Sequence, residues 1–263
     1  MPDDIEKQLQ NDDHSSDTNF GEHVVAKIHT SDDGEFVHFG NQKFYRRDLL
    51  QAFGGTLNPG LSAPSTHKFG NPAPLGLSAF ALTTFVLSLI NAKAMGVSTP
   101  NVVIGLSMFY GGLVQLLAGM WELALENTFG ALALGSFGGF WMSFGAIFIP
   151  WFNIASAYED PTELDNALGF YLLGWTIFTF MLCLVTVKST VPFFGLFVFL
   201  DITFLLLSLG YLAPSVGCTR AGGVFGVITA FIAWYNAYAG VANPQNAYLT
   251  IKPFNLPKFG KDS

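Results

Sequence analysis

Long apolar runs with almost no charge fill the chain from residue 74 to residue 243, whereas residues 1–70 are polar and acidic. A helix needs about 20 apolar residues to cross the hydrocarbon core of a bilayer. Six such runs follow one another, which disfavours buried helices of a soluble protein, and their uniformity disfavours barrel strands, which alternate. The sequence predicts an all-α membrane protein with six transmembrane helices, at about residues 74–92, 100–121, 129–150, 168–187, 191–213 and 223–243.

The polar segment before the first run divides into two parts. Residues 1–35 are rich in Asp, Ser, Gln, Asn and His, a composition that predicts a disordered acidic tail. Residues 36–70 are predicted to form a short cytoplasmic amphipathic helix, on the inner leaflet or docked on the protein, and then a linker rich in Gly, Pro and Ser. The apolar face of that helix would carry Phe44, Leu49, Leu50 and Phe53. The transmembrane domain is predicted at residues 71–245, with a cytoplasmic tail at 246–263.

Charges in the loops predict the orientation, because Lys and Arg are enriched on the cytoplasmic side. The N-terminal side of the predicted helices carries most of them, namely Arg46, Arg47, Lys68, Lys188, Lys252, Lys258 and Lys261. The opposite side has Lys93 and Arg220 beside an acidic loop at residues 158–166. No signal-peptide pattern precedes the first run. We therefore expect a multi-pass plasma-membrane protein with both termini in the cytoplasm.

Composition and motifs exclude several functional classes. The net charge of −7 argues against nucleic acid as a partner. The sequence has no metal-ligand spacing, phosphate-binding loop, dinucleotide-binding glycine pattern or Ser/His/Asp arrangement, and all five His residues lie within the first 67 positions. An intramembrane hydrolase needs acid–base groups or metal ligands inside the spans, where Asp201 is the sole candidate. We therefore predict that the protein is not an enzyme and has no cofactor or metal.

Two prolines open the first run, in the stretch NPAPLGL that begins at Asn71. The first N–H groups of a helix have no partner within it, so Pro72 and Pro74 are tolerated there and Asn71 can cap the helix. A helix N-terminus also carries partial positive charge and free N–H groups, which suit a carboxylate. The stretch therefore predicts either a helix entry at the membrane surface or, in addition, an anion site of the kind used by transporters.

Polar residues follow helical spacing on two of the predicted helices. One face of the first combines apolar and polar positions: Phe80, Thr84, Leu87 and Asn91. One face of the second carries Ser107, Gly111, Gln115 and Glu122. Hydroxyl and amide groups beside an apolar constriction suit a partly dehydrated carboxylate or its neutral acid. The same groups also join helices to one another in membranes, so both roles stay open.

Asp201 lies near the middle of the fifth predicted helix. An ionised carboxylate at that depth costs about 2.5–3.5 kcal/mol on insertion scales, and such residues usually face a cavity or a partner. Asp201 could therefore relay protons or select the substrate. A hydrogen bond from its protonated form to a neighbouring helix is the alternative.

Several blocks of the sequence are similar to one known family. NPAPLGL is followed directly by SAFALTTF, and further blocks are FGGTLNPGL (53–61), MFYGGLVQLLAGMWELALENTFG (108–130), ALGFYLLGW (167–175) and TRAGGVFGVITAFIAWYNAYAG (219–240). Together they closely resemble the acetate uptake transporter family, and in particular its fungal branch of ammonia/acetate transport outward proteins. Bacterial succinate-acetate permeases are relatives. The resemblance runs from about residue 40 to residue 255.

The resemblance implies a homo-hexamer in which each subunit contains a narrow pore. It implies a hydrophobic constriction at Phe80, Phe137 and Leu200, where Phe137 replaces a Tyr of the bacterial members. With the helical faces above, it gives these candidates for pore-lining or substrate-binding residues: Asn71, Leu75, Thr84, Leu87, Asn91, Gln115, Glu122 and Asp201. The implied substrates are acetate and other short carboxylates, with succinate and lactate as candidates, carried as an anion or together with protons.

Two other functions remain open at this point. The name of the fungal branch implies ammonium export, which ranks below carboxylate transport. Ammonium is expected to bind carboxylates or aromatic faces. Glu122 and Asp201 supply carboxylates, so ammonium export remains an alternative. The acidic N-terminal tail, with its Ser and Thr residues, is compatible with a nutrient sensor that does not transport.

Overall fold

The computed structural model describes residues 28–31, 33–39, 42–52, 69–251 and 254–257. The chain divides into two compact units, residues 1–68 and 69–263.

The first unit contains a three-stranded antiparallel sheet in the order β1-β2-β3. Its strands are β1 Ile28–Thr30, β2 Phe36–Phe39 and β3 Gln42–Tyr45, and a short helix, α1 Arg46–Ala52, follows. In the pairing of β2 with β3, Phe36 lies opposite Tyr45 and their ring centroids are 4.5 Å apart. Lys43 places its Nζ atom 3.6 Å from the centroid of the Phe36 ring, so cross-strand contacts hold this sheet together.

The turn between β1 and β2 is organised by Asp33. The Ser31 hydroxyl donates a hydrogen bond to Asp33 Oδ1 at 2.5 Å, and the Glu35 N–H donates to the same oxygen at 3.1 Å. These hydrogen bonds favour the ionised carboxylate, so the pKa of Asp33 lies below its usual value.

This unit corrects two sequence-based expectations. The predicted amphipathic helix is confined to residues 46–52, because residues 36–39 and 42–45 pair as strands and place Phe44 in β3. The predicted disordered tail, residues 1–35, contains β1, while residues 1–27 lie outside the described part of the chain. The linker at residues 53–68 is also outside it.

The second unit confirms the prediction of six membrane-spanning helices. Among the described residues, six helices are long and apolar enough to cross a membrane: α2 Ala73–Asn91, α3 Asn101–Ala124, α4 Thr128–Ile147, α5 Pro161–Val185, α6 Val191–Leu212 and α7 Val216–Val241. The outside of the bundle carries exposed apolar side chains, including Phe109, Phe170 and Phe231. Such a surface suits lipid, whereas soluble proteins rarely expose large apolar patches.

Two of the helices begin earlier than hydropathy predicts, because their first turns are polar. The Asp160 carboxylate accepts a hydrogen bond from the Thr162 N–H at 2.8 Å, and Pro161 occupies the first turn of α5. The Ser215 hydroxyl accepts from the Cys218 N–H at 3.3 Å at the start of α7. These are ordinary N-caps, which satisfy backbone donors that the helix itself leaves unpaired.

Small residues bring the helices into close contact. The helix α2 packs against α7 and α3, α6 packs between α5 and α7, and α3 packs against α4. At the last of these contacts, a Cβ atom on Gly119 would lie 2.5 Å from the backbone nitrogen of Gly135. Gly139, one turn further along α4, faces open space. The backbones of α3 and α4 therefore meet at Gly119.

The middle of α3 is a π-helix over Leu106–Val114. Such segments are rare and often occur at functional sites. Two glycines lie within this π-helix at positions where a side chain would clash. Thr83 of α2 packs on Gly111 in the space that a side chain would fill, and the Ser107 carbonyl oxygen occupies that space at Gly112. The wider helix keeps Ser107, Gly111 and Gln115 buried together.

The start of α2 and the end of α7 lie at the same end of the bundle, where Gly240 packs against Pro74. A C-terminal segment also pairs with the connection between α5 and α6. There the Val191 N–H donates to the Phe254 carbonyl at 2.7 Å, and the Leu256 N–H donates to the Ser189 carbonyl at 3.0 Å.

Candidate functional site

A cavity of about 310 Å³, here called the wide cavity, opens between the helices on the side of the loop that follows α2. This is far above the roughly 10–15 Å³ that one water molecule requires. The four residues predicted to share a face of α2 all line it: Phe80, Thr84, Leu87 and Asn91. Aromatic side chains of α4 form the facing wall: Phe140, Trp141 and Phe144.

A second cavity of about 90 Å³, here called the narrow cavity, lies toward the start of α2. Its wall includes Ala73 at the first turn of α2, Gln115 of α3, and Asn127 at the start of α4. Apolar residues of α6 complete it, including Phe193 and Leu196.

Phe80 and Leu200 line both cavities, and Phe137 lines the narrow one. The three side chains, here called the constriction residues, are each 4% exposed. The Phe80 and Phe137 ring centroids are 5.9 Å apart, and Phe137 also packs against Trp175 at 5.8 Å. Apolar side chains from α2, α4 and α6 thus separate the two cavities.

Polar atoms without a hydrogen-bond partner among the described residues occur on both sides of the constriction residues. The Thr84 hydroxyl and the Trp141 Nε1 atom are buried and unpaired, and both residues line the wide cavity. Both amide atoms of Gln115 are buried and unpaired, and Gln115 lines the narrow cavity. Buried polar groups are nearly always paired, so these atoms are available to hydrogen-bond with water or with a polar ligand in the cavities.

The remaining predicted residues lie outside the two cavities. Asn71 is exposed and accepts a hydrogen bond from the Ala73 N–H at 3.0 Å, as expected for a helix entry. Leu75 is 51% exposed on the outside of α2. Asp201 lies in the neighbourhood of Cys183 of α5, and its Oδ1 atom is buried without a partner among the described residues.

Glu122 is buried at the end of α3 and does not line either cavity. Its carboxylate accepts a hydrogen bond from the Asn127 side-chain amide at 2.5 Å. The Asn127 Oδ1 atom in turn accepts from the Gly130 N–H at 3.1 Å, which caps α4. Glu122 therefore positions Asn127, which is the residue of this pair that lines the narrow cavity.

Trp141 and Lys93 are among the residues of the wide cavity that sequence reasoning missed. Trp141 stands in an apolar run where an aromatic residue is expected to pack, so its unpaired donor gave no signal in the sequence. Lys93 was assigned only to a loop, yet it lines the cavity together with Asn91 and Ser98. Within the described ranges, no group of three or more His, Cys, Asp or Glu side chains could hold a metal ion.

Lys93 adopts a left-handed backbone conformation, with φ 60° and ψ 33°, directly after α2 ends. Non-glycine residues reach this region at a cost of roughly 1–2 kcal/mol, and glycine usually occupies such a position after a helix. A lysine therefore occupies a position where glycine would be less strained.

Six spanning helices that enclose two cavities, separated by an apolar constriction, define a polytopic α-helical membrane protein of the channel or transporter class. The chain belongs to the GPR1/FUN34/yaaH family, whose match covers residues 53–258.

Three comparisons illustrate this membership. The chain is 64% identical to Ammonia transport outward protein 2 of Saccharomyces cerevisiae, over 90% of this chain and 85% of that protein. It is 51% identical to Acetate permease A of Emericella nidulans, over 80% of this chain and 74% of that protein. The solved structure of the bacterial acetate channel SatP superposes with a TM-score of 0.63 at 33% identity, covering 70% of this chain and 100% of that one.

Proposed function

We propose that this chain conducts acetate and similar short-chain monocarboxylates across a membrane, through the wide cavity, past the constriction residues and into the narrow cavity. The observation that carries the proposal is the pair of cavities that share Phe80 and Leu200, each with unpaired buried polar atoms in its wall. Two relatives named above, an acetate permease and an acetate channel, support the choice of substrate.

The donors in the wide cavity suit a carboxylate. The indole Nε1–H of Trp141 can only donate a hydrogen bond, and the Thr84 hydroxyl can donate a second one. An ionised carboxylate offers two acceptor oxygens and no donor, so it matches this pair. The protonated acid can accept from the indole N–H through its carbonyl oxygen and donate its O–H to the Thr84 hydroxyl, which also accepts. Gln115 offers both a donor and an acceptor on the other side of the constriction residues.

The constriction residues supply no polar group, so the substrate must shed water there. Burying an unpaired charge costs far more than burying a neutral acid. This favours passage with a proton, while brief passage of a dehydrated anion is the competing possibility. The voltage dependence of the flux separates the two, because only the anion carries net charge across.

Further parts of the proposal concern the setting of the protein. We infer a plasma-membrane location with both termini in the cytoplasm, supported by the lysines and arginines of the N-terminal side. The exposed apolar side chains on the bundle surface are compatible with assembly into a homo-hexamer as well as with contact to lipid.

The deciding experiment is uptake of labelled acetate into proteoliposomes that contain only this protein, with the membrane potential clamped by valinomycin and potassium. Flux above that of protein-free liposomes is expected, and competition by unlabelled short monocarboxylates should reduce it. Specific binding of acetate without flux would instead indicate a sensor and would overturn the proposal.

Ammonium is the second candidate substrate, favoured by the relative named as an ammonia transport outward protein. Aromatic faces can bind cations, and Phe140, Phe144 and Tyr171 form a stacked group in α4 and α5. The donor-only Trp141 edge disfavours ammonium, because ammonium has no acceptor to offer. Labelled methylammonium in the same liposomes tests this: flux of methylammonium without flux of acetate would reverse the ranking.

A further inference from the structure

Among the described residues that line the wide cavity, Lys93 is the one charged side chain. It lies at the loop end of the cavity, where the neighbouring polar residues are neutral: Asn91, Ser98, Tyr211 and Thr219. Lys93 is half-buried and forms no ion pair among the described residues. Its positive charge is therefore not neutralised by a neighbouring carboxylate.

The loop between α4 and α5, on the same side of the bundle as Lys93, is acidic. This loop and the start of α5 carry Glu159, Asp160, Glu163 and Asp165. Asp165 lies in the neighbourhood of Tyr211, which lines the wide cavity. Arg220 is exposed on the same side and does not line the cavity. An anion that approaches this end therefore meets four carboxylates and one exposed cation outside the cavity, and Lys93 as the cation of its wall.

We propose that Lys93 captures the carboxylate in its anionic form at the mouth of the wide cavity and so raises the rate at which anions reach the constriction residues. This inference rests on the proposed function. Charge in a cleft with low-dielectric walls raises the local concentration of an oppositely charged substrate and its rate of entry. The left-handed backbone at Lys93 holds the side chain at the cavity instead of letting the helix continue past it.

A purely structural role is the competing explanation. A cation just after a helix stabilises the negative end of the helix dipole, and Lys93 follows α2 directly. The two roles differ in what they predict, since a dipole partner affects thermal stability whereas a capture residue affects anion entry and its dependence on salt.

The test is the initial rate of acetate uptake into proteoliposomes at a pH well above the pKa of acetic acid, at low and at high ionic strength. Lys93→Gln should lower the low-salt rate by up to about tenfold, the lower end of the range for electrostatic steering, and should abolish most of the salt dependence. Lys93→Arg should retain both. Arg220→Gln removes a cation on the same side but outside the cavity wall, and it should change both by less than Lys93→Gln does.

A substitution of opposite sign gives an independent check. Asp165→Asn removes a negative charge near the cavity wall, so it should raise the rate of acetate uptake at low salt.

Lys93→Gly removes the positive charge of Lys93 and also relieves the left-handed backbone strain. It should therefore transport as poorly as Lys93→Gln while its melting temperature is at least that of the wild type.

The experiment distinguishes failure of the proposed transport function from failure of the proposed role of Lys93. If the wild-type protein does not carry acetate, the proposed function is wrong and the role of Lys93 fails with it. If the wild type carries acetate, and the rate and salt dependence of Lys93→Gln match those of the wild type, the capture role alone is overturned. A lower melting temperature of Lys93→Gln with wild-type flux would identify Lys93 as a partner of the α2 dipole.

Discussion

The ring of Phe80 on α2 lies 5.9 Å, centroid to centroid, from the ring of Phe137 on α4, and the two rings meet at an interplanar angle of 51°. Leu200 of α6 borders the same two cavities as Phe80. Three apolar side chains from three different helices thus lie where the two cavities approach each other. Under the proposed function, a change in the size of any one of them should alter which acids pass.

Replacement of Phe137 by Leu should widen the connection between the cavities and raise the flux of longer monocarboxylates severalfold relative to acetate. The physical reason is that a smaller side chain leaves space that the well-packed helices only partly refill. The measurement is the ratio of butyrate to acetate uptake in proteoliposomes. Phe178→Leu is the matched control, because Phe178 packs on Phe137 at 5.7 Å but lines neither cavity; an equal change in both variants would contradict the prediction.

Replacement of Trp141 by Phe removes the unpaired Nε1–H donor and keeps an aromatic ring in the wall of the wide cavity. A hydrogen bond to a charged group contributes about 1.5–3 kcal/mol, and about 1.4 kcal/mol corresponds to a tenfold change in affinity. The KM for acetate should therefore rise about tenfold or more. Trp121→Phe serves as the control, since Trp121 is exposed outside the cavities. A KM that stays at the wild-type value would remove Trp141 from the binding site.

Replacement of Asp201 by Asn should leave the KM for acetate and the pH profile of uptake unchanged, because Asp201 lines neither cavity. Its position near Cys183 places it in the contact between α5 and α6. The asparagine amide can still form an interhelical hydrogen bond, which is the alternative role predicted for Asp201 from the sequence. Uptake measured from pH 5 to pH 7 checks this, and loss of the pH dependence would restore Asp201 as a proton relay.

Replacement of Gly119 by Ala should destabilise the helix bundle by about 1–3 kcal/mol, the usual cost of overpacking. The new methyl group would press on the backbone of α4 at Gly135. Gly139→Ala is the control, because that position faces open space and alanine favours helix. Thermal unfolding in detergent should separate the two variants clearly, and similar melting temperatures would show that α3 and α4 are not in close contact there.

Six helices could be predicted from the sequence because only a helix pairs all its backbone polar groups within one segment. Its side chains must also be apolar over the thickness of the bilayer, which produces long apolar runs. The polar first turns of α5 and α7 were missed, since hydropathy does not register the N-caps Asp160 and Ser215. The small sheet was also missed. Its signal was present in the sequence: Gly40 and Asn41 separate two short runs of strand-favouring residues, a pattern typical of a hairpin.

Some of the predicted site residues line a cavity as expected from helical spacing, whereas others do not. Thr84 and Asn91 line the wide cavity because helical spacing from Phe80 places them on its face. Asp201 follows Leu200 directly in the sequence, but consecutive residues of a helix do not share a face, and Asp201 lines neither cavity. The place of Lys93 in the cavity wall depends on a turn in which Lys93 and Met95 both have positive φ angles. Lysine and methionine rarely adopt such angles, so the sequence did not predict this turn.

The π-helical stretch of α3 also fixes the rotational setting of its two halves. An ordinary α-helix turns by about 100° per residue, so the eight steps from Ser107 to Gln115 would leave these two side chains about 80° apart. The wider turns of the π-helical stretch, Leu106–Val114, take up this difference and keep both side chains buried. Loss of one residue within the stretch, with relaxation to α-helix, should therefore preserve the inward direction of both, whereas conversion of the full-length stretch to α-helix would turn one of them toward the lipid.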